Sequence, residues 1–472
     1  MERKLLKTKI GFVPSNWDAW NGDNWAEGMR DRCVNVFNLV PGLELVVPSK
    51  EMTAIGCVST TDEGKKTAEF FLKEKVQGVL IGNMTFGMEV AVGSFLNYMP
   101  KDIPILHFAT KSGPISKQGN RLTDTWCGQF MTASAIKRRG FKFVHINTCN
   151  PEDQYFKDNI EKFTRAVCAI SRFKRLKIGQ LGTRPQLFES QNFSEQAMQK
   201  QFGQMVVPMD LDTVLSRIER VDGKNPAVQQ IMAEIIEGVD ISENQKNDIE
   251  NIAKAEFAYL EIAKELDVDA LAISCWTRVQ ERIGISICSI IGRLNDKGLV
   301  TACEVDIPGA ATLHAVNCAG LNLTSPHFID WTDLHPTEEN IWLAWHCGNA
   351  PFSACAKDCK PKWLRNERMI QWAPNCFGAL EFRLKDGPVT CARLVEYDGQ
   401  FNMFYGSGEV VDIEPFVRGA YGWVKVNDVF DWENKMIEYG IVHHGTLIHD
   451  AKVADAMEWF CYFLGINGVR GA

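Results

Sequence analysis

The sequence predicts an α/β protein with a β-rich ending: two open parallel sheets in tandem, then an antiparallel, barrel-like sheet. Three observations carry that expectation. Apolar runs of strand length alternate with helical patterns from residue 8 to about residue 325. After about residue 326 the apolar runs are separated by turn signals instead of helices. At 472 residues, with 45% hydrophobic and 23% charged residues, the chain is long enough for two to four domains and a large core.

In residues 1–150 the strand-like runs are 9–13, which Pro14 ends, 43–48, 76–82, 105–109 and 141–147. Helical patterns at 67–75 and 131–139 lie between them. Strands alternating with helices imply a parallel sheet of the Rossmann/flavodoxin-like kind, whose ligands bind beyond the carboxyl ends of the strands. A second such unit spans 151–325. Residues 156–171 form the helix that crosses into it, 177–181, 270–275 and 299–303 are strands, and 211–221, 248–266 and 281–295 are helices. In 326–472 the strands are 379–384, 390–396, 401–405 and 409–413. Asp386-Gly387, Asp398-Gly399 and Gly406-Ser407-Gly408 act as turns, and a closing helix covers 452–464.

A formal charge of −8 argues against nucleic acid and anionic membrane as partners, since both demand clustered Lys and Arg. No stretch approaches the roughly 18 apolar residues of a membrane span. The N-terminal apolar run is too short for a signal peptide, so a cytoplasmic protein is expected. Its 15 cysteines then read as reduced thiols. Cys347, Cys355 and Cys359 are the densest group, but their spacing matches no common metal knuckle. No G-x-G-x-x-G follows the first strand and no P-loop occurs, which removes most support for nicotinamide or nucleotide binding.

The chemistry concentrates between Thr301 and Pro351. Glu304, Asp306, Asp330, Asp333 and four histidines fall there, and His443-His444 follow about a hundred residues later. Seven of the nine histidines lie beyond residue 300. Glu304 directly follows a strand, and Pro308 then opens a helix. Asp330 follows an apolar pair, His346 ends an apolar run that Gly348 breaks, and His444 stands before Gly445. Each is thus expected at an element end, where ligands to one ion can converge. Two carboxylates with one or two imidazoles suit Mn²⁺, Mg²⁺ or Co²⁺ better than a closed zinc site. Such an ion beside paired carboxylates fits aldose–ketose interconversion. The ion polarises a carbonyl and stabilises an enediolate, while one carboxylate moves a proton between adjacent carbons. Asn16, Trp17 and Trp20 in the loop after the first strand suit a sugar, with Arg184, Trp276, Gln280, His346 and Asn349 as further candidate substrate contacts. Asn16–Trp20, Arg184 and Trp276 equally suit structural or interface roles, and Arg184 and Arg278 would also suit an anionic substituent.

The motifs CEVDIPGA, FIDW, WHCGNAP and HHG, in that order, resemble the L-fucose isomerase and L-arabinose isomerase superfamily. The resemblance implies two α/β domains and a β-rich third. It also implies a manganese-dependent ketol isomerase and a homo-oligomer, trimer or hexamer, whose active site lies between subunits. Carried over, Glu304 and Asp330 are the metal carboxylates and proton-transfer pair, and His444 is the metal histidine. His346 resembles a metal ligand of the arabinose-isomerase branch, so the chain mixes two patterns. The sugar is left open: a free monosaccharide, or a deoxy or sulfonated one. A metal-dependent aldolase could use the same enediolate. A non-catalytic sugar sensor would also suit tandem α/β lobes, though the β-rich part carrying His444 counts against it.

Overall fold

The computed structural model describes residues 3–17, 23–240, 246–366 and 375–472. Asp18, Trp20 and Asn21 of the first loop lie outside them. Leu5–Ser171 form one compact unit; Arg172–Ala472, joined by the N-terminal residues up to Lys4, form another. Arg3 belongs to the second unit because its guanidinium donates to the carbonyls of Asn322 and Thr324, each at 3.1 Å.

The smaller unit holds a five-stranded parallel sheet made of β1 (Thr8–Ser15), β2 (Leu43–Val46), β3 (Gly78–Asn83), β4 (Ile105–Ala109) and β5 (Val144–His145). Its order is β2-β1-β3-β4-β5. Every residue of β3 and β4 is buried, as a parallel sheet covered on both faces requires. Pro14 does not end β1. It pairs with Gly82, and its carbonyl accepts from Val58 N–H at 2.8 Å. Since β2 pairs only as far as Gly11, no ladder bond asks for the N–H that Pro14 lacks. The helix expected at 67–75 starts earlier, at Thr61, because Thr60 and Glu63 cap each other's backbone N–H groups.

In the larger unit, β6 (Lys177–Leu181), β7 (Met205–Met209), β8 (Ala270–Ile273) and β9 (Val300–Ala302) form a second parallel sheet in the order β7-β6-β8-β9. β7 escaped notice because it is a half-exposed edge strand containing Pro208. The helix expected at 281–295 is two helices, Arg278–Ile283 and Cys288–Asp296. Gly284 takes φ 79 between them, freeing Ser286 N–H to bond Phe377 O at 2.6 Å.

The remaining strands are β10 (His327–Leu334), β11 (Ile341–His346), β12 (Lys362–Arg365), β13 (Phe377–Arg383), β14 (Gly387–Tyr397), β15 (Gln400–Val411), β16 (Ala420–Lys425), β17 (His444–Ile448) and β18 (Asn467–Arg470). β16 pairs with both β11 and β15, closing the six strands β16-β11-β10-β17-β14-β15 into a barrel. The fold class read from the sequence therefore holds. Asp398-Gly399 is the two-residue turn between β14 and β15, with φ 51 and 77. Gly406-Ser407-Gly408 is not a turn: it runs inside β15. Trp432 lies so close that a Cβ on Gly406 would fall 2.4 Å from its ring.

The helix Ile307–Ala319 is apolar on all sides and buried almost throughout. It packs against β8 and β9 of the parallel sheet and against β14 and β17 of the barrel. Among the described residues no helix is long and apolar enough to cross a membrane.

Candidate active site

The larger unit brings its chemistry together where the carboxyl ends of β6, β8 and β9 face the barrel. A cavity of about 230 Å³ lies there, lined by Leu187 and Phe188 after β6, Cys275, Trp276 and Gln280 after β8, Cys303 and Glu304 after β9, and Asp330, Trp345, His346 and Cys347 from the barrel. This is the switch-point position for a ligand, since β6 sits between β7 and β8.

Each side chain arrives by a local device. Glu304 and Val305 leave β9 with φ 59 and 57, a left-handed pair of non-glycine residues. Such residues are strained by about 1–2 kcal/mol each. The turn aims Glu304 into the cavity and lets Asp306 cap the following helix, accepting from Gly309 N–H at 2.8 Å. Asp330 and His444 are direct partners in the antiparallel ladder of β10 and β17, so they share a face. Asp330 is therefore inside a strand, not at an element end. Gly445 is needed because the Trp331 ring covers it: a Cβ there would meet that ring at 2.4 Å. His346 ends β11, and Gly348 (φ 92) turns the chain where a Cβ would fall 2.2 Å from Leu380 N.

His444 is 1% exposed and held at both nitrogens. Its Nδ1 lies 2.8 Å from Asp306 Oδ2, and its Nε2 lies 3.1 Å from Glu304 Oε2 and 3.7 Å from Asp330 Oδ1. Burial alone would lower its pKa, but the hydrogen bonds to Asp306 and Glu304 outweigh burial and push it up to about 9. Burial likewise opposes the charge on Asp306, yet the buried Arg393 guanidinium and His444 hold that carboxyl well below the usual range. Arg393 makes a forked pair with both Asp306 oxygens. Glu304 is lowered too: burial is outweighed by His444, with help from Trp276, whose Nε1 donates to Oε1 at 3.3 Å. Asp330 goes the other way, raised by burial, and its Oδ1 is buried with no hydrogen-bond partner.

Two carboxylate oxygens, the Asp330 one without a hydrogen-bond partner, thus lie near one imidazole nitrogen. That donor set suits a hard divalent cation that keeps open positions. Glu304, His346 and His444 also offer ligand atoms within 4.8 Å of one another, as do Asp330, His443 and His444.

The other sequence candidates fall as follows. Trp276 and Gln280 line the cavity, Gln280 from the helix Arg278–Ile283 and not from a loop. Arg184 lies outside the cavity lining and donates to the Phe188 carbonyl at 3.0 Å. Asn349 is buried elsewhere, its Oδ1 3.1 Å from His327 Nε2. Asn16 and Trp17 belong to the other unit. Asn16 donates to Asp23 at 2.8 Å and accepts from Thr85 at 2.7 Å, and the Trp17 ring packs on Phe86. Asp333 is exposed, and His314 and His335 pair with Cys318 and with the Glu414 carbonyl. Cys355 and Cys359 place their thiols 3.1 Å apart, while Cys347 is in the cavity wall, so the three form no shared site.

Two residues were not singled out, Arg393 and Gln191, and Asp306 was named without a role. Asp306 was legible as a helix cap two positions from Glu304. Arg393 was a lone charge inside an apolar strand, which demands a buried partner. Gln191, whose Nε2 reaches Glu304 Oε2 at 3.4 Å, left no signal.

Comparison with known proteins bears on the same reading. Residues 11–174 match the family model described as fucose/sulfoquinovose isomerase, N-terminal domain. The sulfoquinovose isomerase of Priestia megaterium (strain ATCC 12872 / QMB1551) is 23% identical over 405 residues, 83% of this chain and 85% of that protein. These matches make the chain similar to fucose-isomerase-like aldose–ketose isomerases. Also similar to it are the sulfoquinovose isomerases of Alkalicoccus urumqiensis and of Clostridium sp. (strain MSTE9). The first is 24% identical over 306 residues, 64% of this chain and 66% of that protein. The second is 26% identical over 255 residues, 52% and 54%.

Proposed function

We propose that the chain is a divalent-metal-dependent aldose–ketose isomerase acting on a monosaccharide, with sulfoquinovose as the first substrate to test. The observation that carries this is His444 Nε2, 3.1 Å from Glu304 Oε2 and 3.7 Å from Asp330 Oδ1, with both carboxylates in the wall of one cavity. The named relatives support the sugar. Glu304, Asp330 and His444 would hold the ion, which we take to be Mn²⁺. When bound, it polarises the sugar carbonyl and offsets the negative charge that develops as the adjacent carbon loses its proton.

The two carboxyl groups are set apart in acidity, which assigns them different tasks. The Glu304 carboxylate, kept charged, takes the proton from the carbon beside the carbonyl and returns it to the carbonyl carbon. Asp330 Oδ1 manages the proton that passes between the two oxygens. Apolar walls from Phe188, Trp276 and Trp345 exclude water. On the same reading the protein works in the cytoplasm as a homo-oligomer, as the family resemblance implies.

The test is solvent exchange. Metal-loaded protein in deuterated water, offered a sugar panel that includes sulfoquinovose and L-fucose, should place deuterium beside the carbonyl, form the ketose, and stop on chelation. Glu304→Gln should abolish exchange, a loss of at least about a thousandfold if a general base is removed at an otherwise intact site. Near-normal turnover in that variant would refute the assignment. Carbon–carbon cleavage would point to an aldolase, and binding without exchange to a sensor.

A further inference from the structure

His346 lines the cavity and stands beside His444, with ring centroids 6.2 Å apart, and its position suggests a second imidazole ligand. Its hydrogen bonds say otherwise. The backbone N–H of Cys347 donates to His346 Nδ1 at 2.9 Å. An imidazole nitrogen has one in-plane lone pair, and Nδ1 spends it on that N–H. A proton on Nδ1 would collide with the Cys347 hydrogen, which excludes the imidazolium as well. The ring proton therefore sits on Nε2. A protonated nitrogen has no pair to give a cation. Nε2 is buried, has no hydrogen-bond partner, and lines the cavity beside Glu304 and Asp330.

We infer that His346 is a substrate-binding hydrogen-bond donor and not a metal ligand: its Nε2–H points at an oxygen of the open-chain sugar. Gln280 supplies the complement, since its side-chain oxygen is also buried and unpartnered in the wall of the same cavity. A donor and an acceptor left unpaired in one small cavity match a hydroxyl group, which both gives and takes a hydrogen bond. The ion would then keep one imidazole, His444, and two carboxylates. More coordination positions stay open for sugar oxygens than a two-histidine set allows. This inference rests on the proposed isomerase reading, and its test separates the two.

The experiment measures Mn²⁺ on the intact protein, without substrate, by titration calorimetry and by electron spin-echo modulation with ¹⁵N-histidine as the isotope control. The wild type should show coupling to one imidazole nitrogen. His346→Gln and His346→Leu should hold Mn²⁺ within about threefold of the wild type, while His444→Gln loses roughly a hundredfold or more, as for removal of a ligand. With sugar present, His346→Leu should raise KM and lower kcat/KM by about 10- to 100-fold, the scale of one buried hydrogen bond. His346→Gln, which can still present an amide N–H, should recover part of that loss. Two coupled imidazole nitrogens in the wild type would overturn the inference, as would a loss of Mn²⁺ in the His346 variants equal to that of His444→Gln. If the wild type binds no Mn²⁺ at all, the isomerase reading falls and takes this inference with it. The spin-echo count on the wild type does not depend on any variant folding.

Discussion

His444 and His346 are the same side chain with ring centroids 6.2 Å apart, yet what their Nδ1 atoms meet sets them apart. For His444 the neighbour is a carboxylate, Asp306, which can only accept, so Nδ1 carries hydrogen and Nε2 turns toward Glu304 and Asp330. For His346 the neighbour is a peptide N–H, which can only donate, so the hydrogen moves to Nε2. A choice between donor and acceptor one bond away from the ring decides whether an imidazole serves an ion or a sugar. Residue type and position along the chain do not carry that information.

The contrast can be broken at the His444 end first. Arg393 and Asp306 are 1% and 0% exposed, and removing one partner of such a pair strands a buried charge. Arg393→Met should cost about 3–5 kcal/mol of stability, read by denaturant unfolding, far more than a surface ion pair. A second change reverses the polarity that His444 senses. Asp306→Asn keeps the volume but offers an amide; it should weaken Mn²⁺ binding by about 10- to 100-fold and, by leaving Arg393 without its carboxylate, lower stability as well. Affinity by calorimetry, beside an unchanged circular-dichroism spectrum, separates this positioning role from a structural one. At the His346 end, an ester in place of the peptide N–H of Cys347, introduced as the α-hydroxy acid, deletes one hydrogen bond worth about 1 kcal/mol. It should release the tautomer, lower kcat/KM only several-fold, and leave metal affinity in place. If the ester instead weakened Mn²⁺ as much as Asp306→Asn does, the two imidazoles would not differ as argued.

Much of the scaffold was legible because its signals are local. The runs at 105–109 and 177–181, the Asp398-Gly399 turn and the closing helix Lys452–Leu464 follow from pattern alone. The errors share one cause, a local cue outvoted by packing. Pro14 stays in a strand because its neighbour strand has already ended. Gly406-Ser407-Gly408 stays in a strand because Trp432 needs the space. Glu304, Asp330 and His444 could be picked out as side chains that seldom collect without purpose. The pairing of Asp306 with Arg393 could not, because it is a contact across 87 residues, and the tautomer of His346 depends on the placement of one hydrogen.

The left-handed pair Glu304-Val305 constrains any effort to harden this protein. Glycine at 305 would relieve one backbone conformation that valine tolerates poorly, but it would delete a buried side chain and loosen the unfolded chain, so melting temperature would fall. The same relief would let the peptide swivel, and the carboxylate it carries would lose its aim. The strain kept at this corner thus serves packing and aim together, through a single pair of torsion angles.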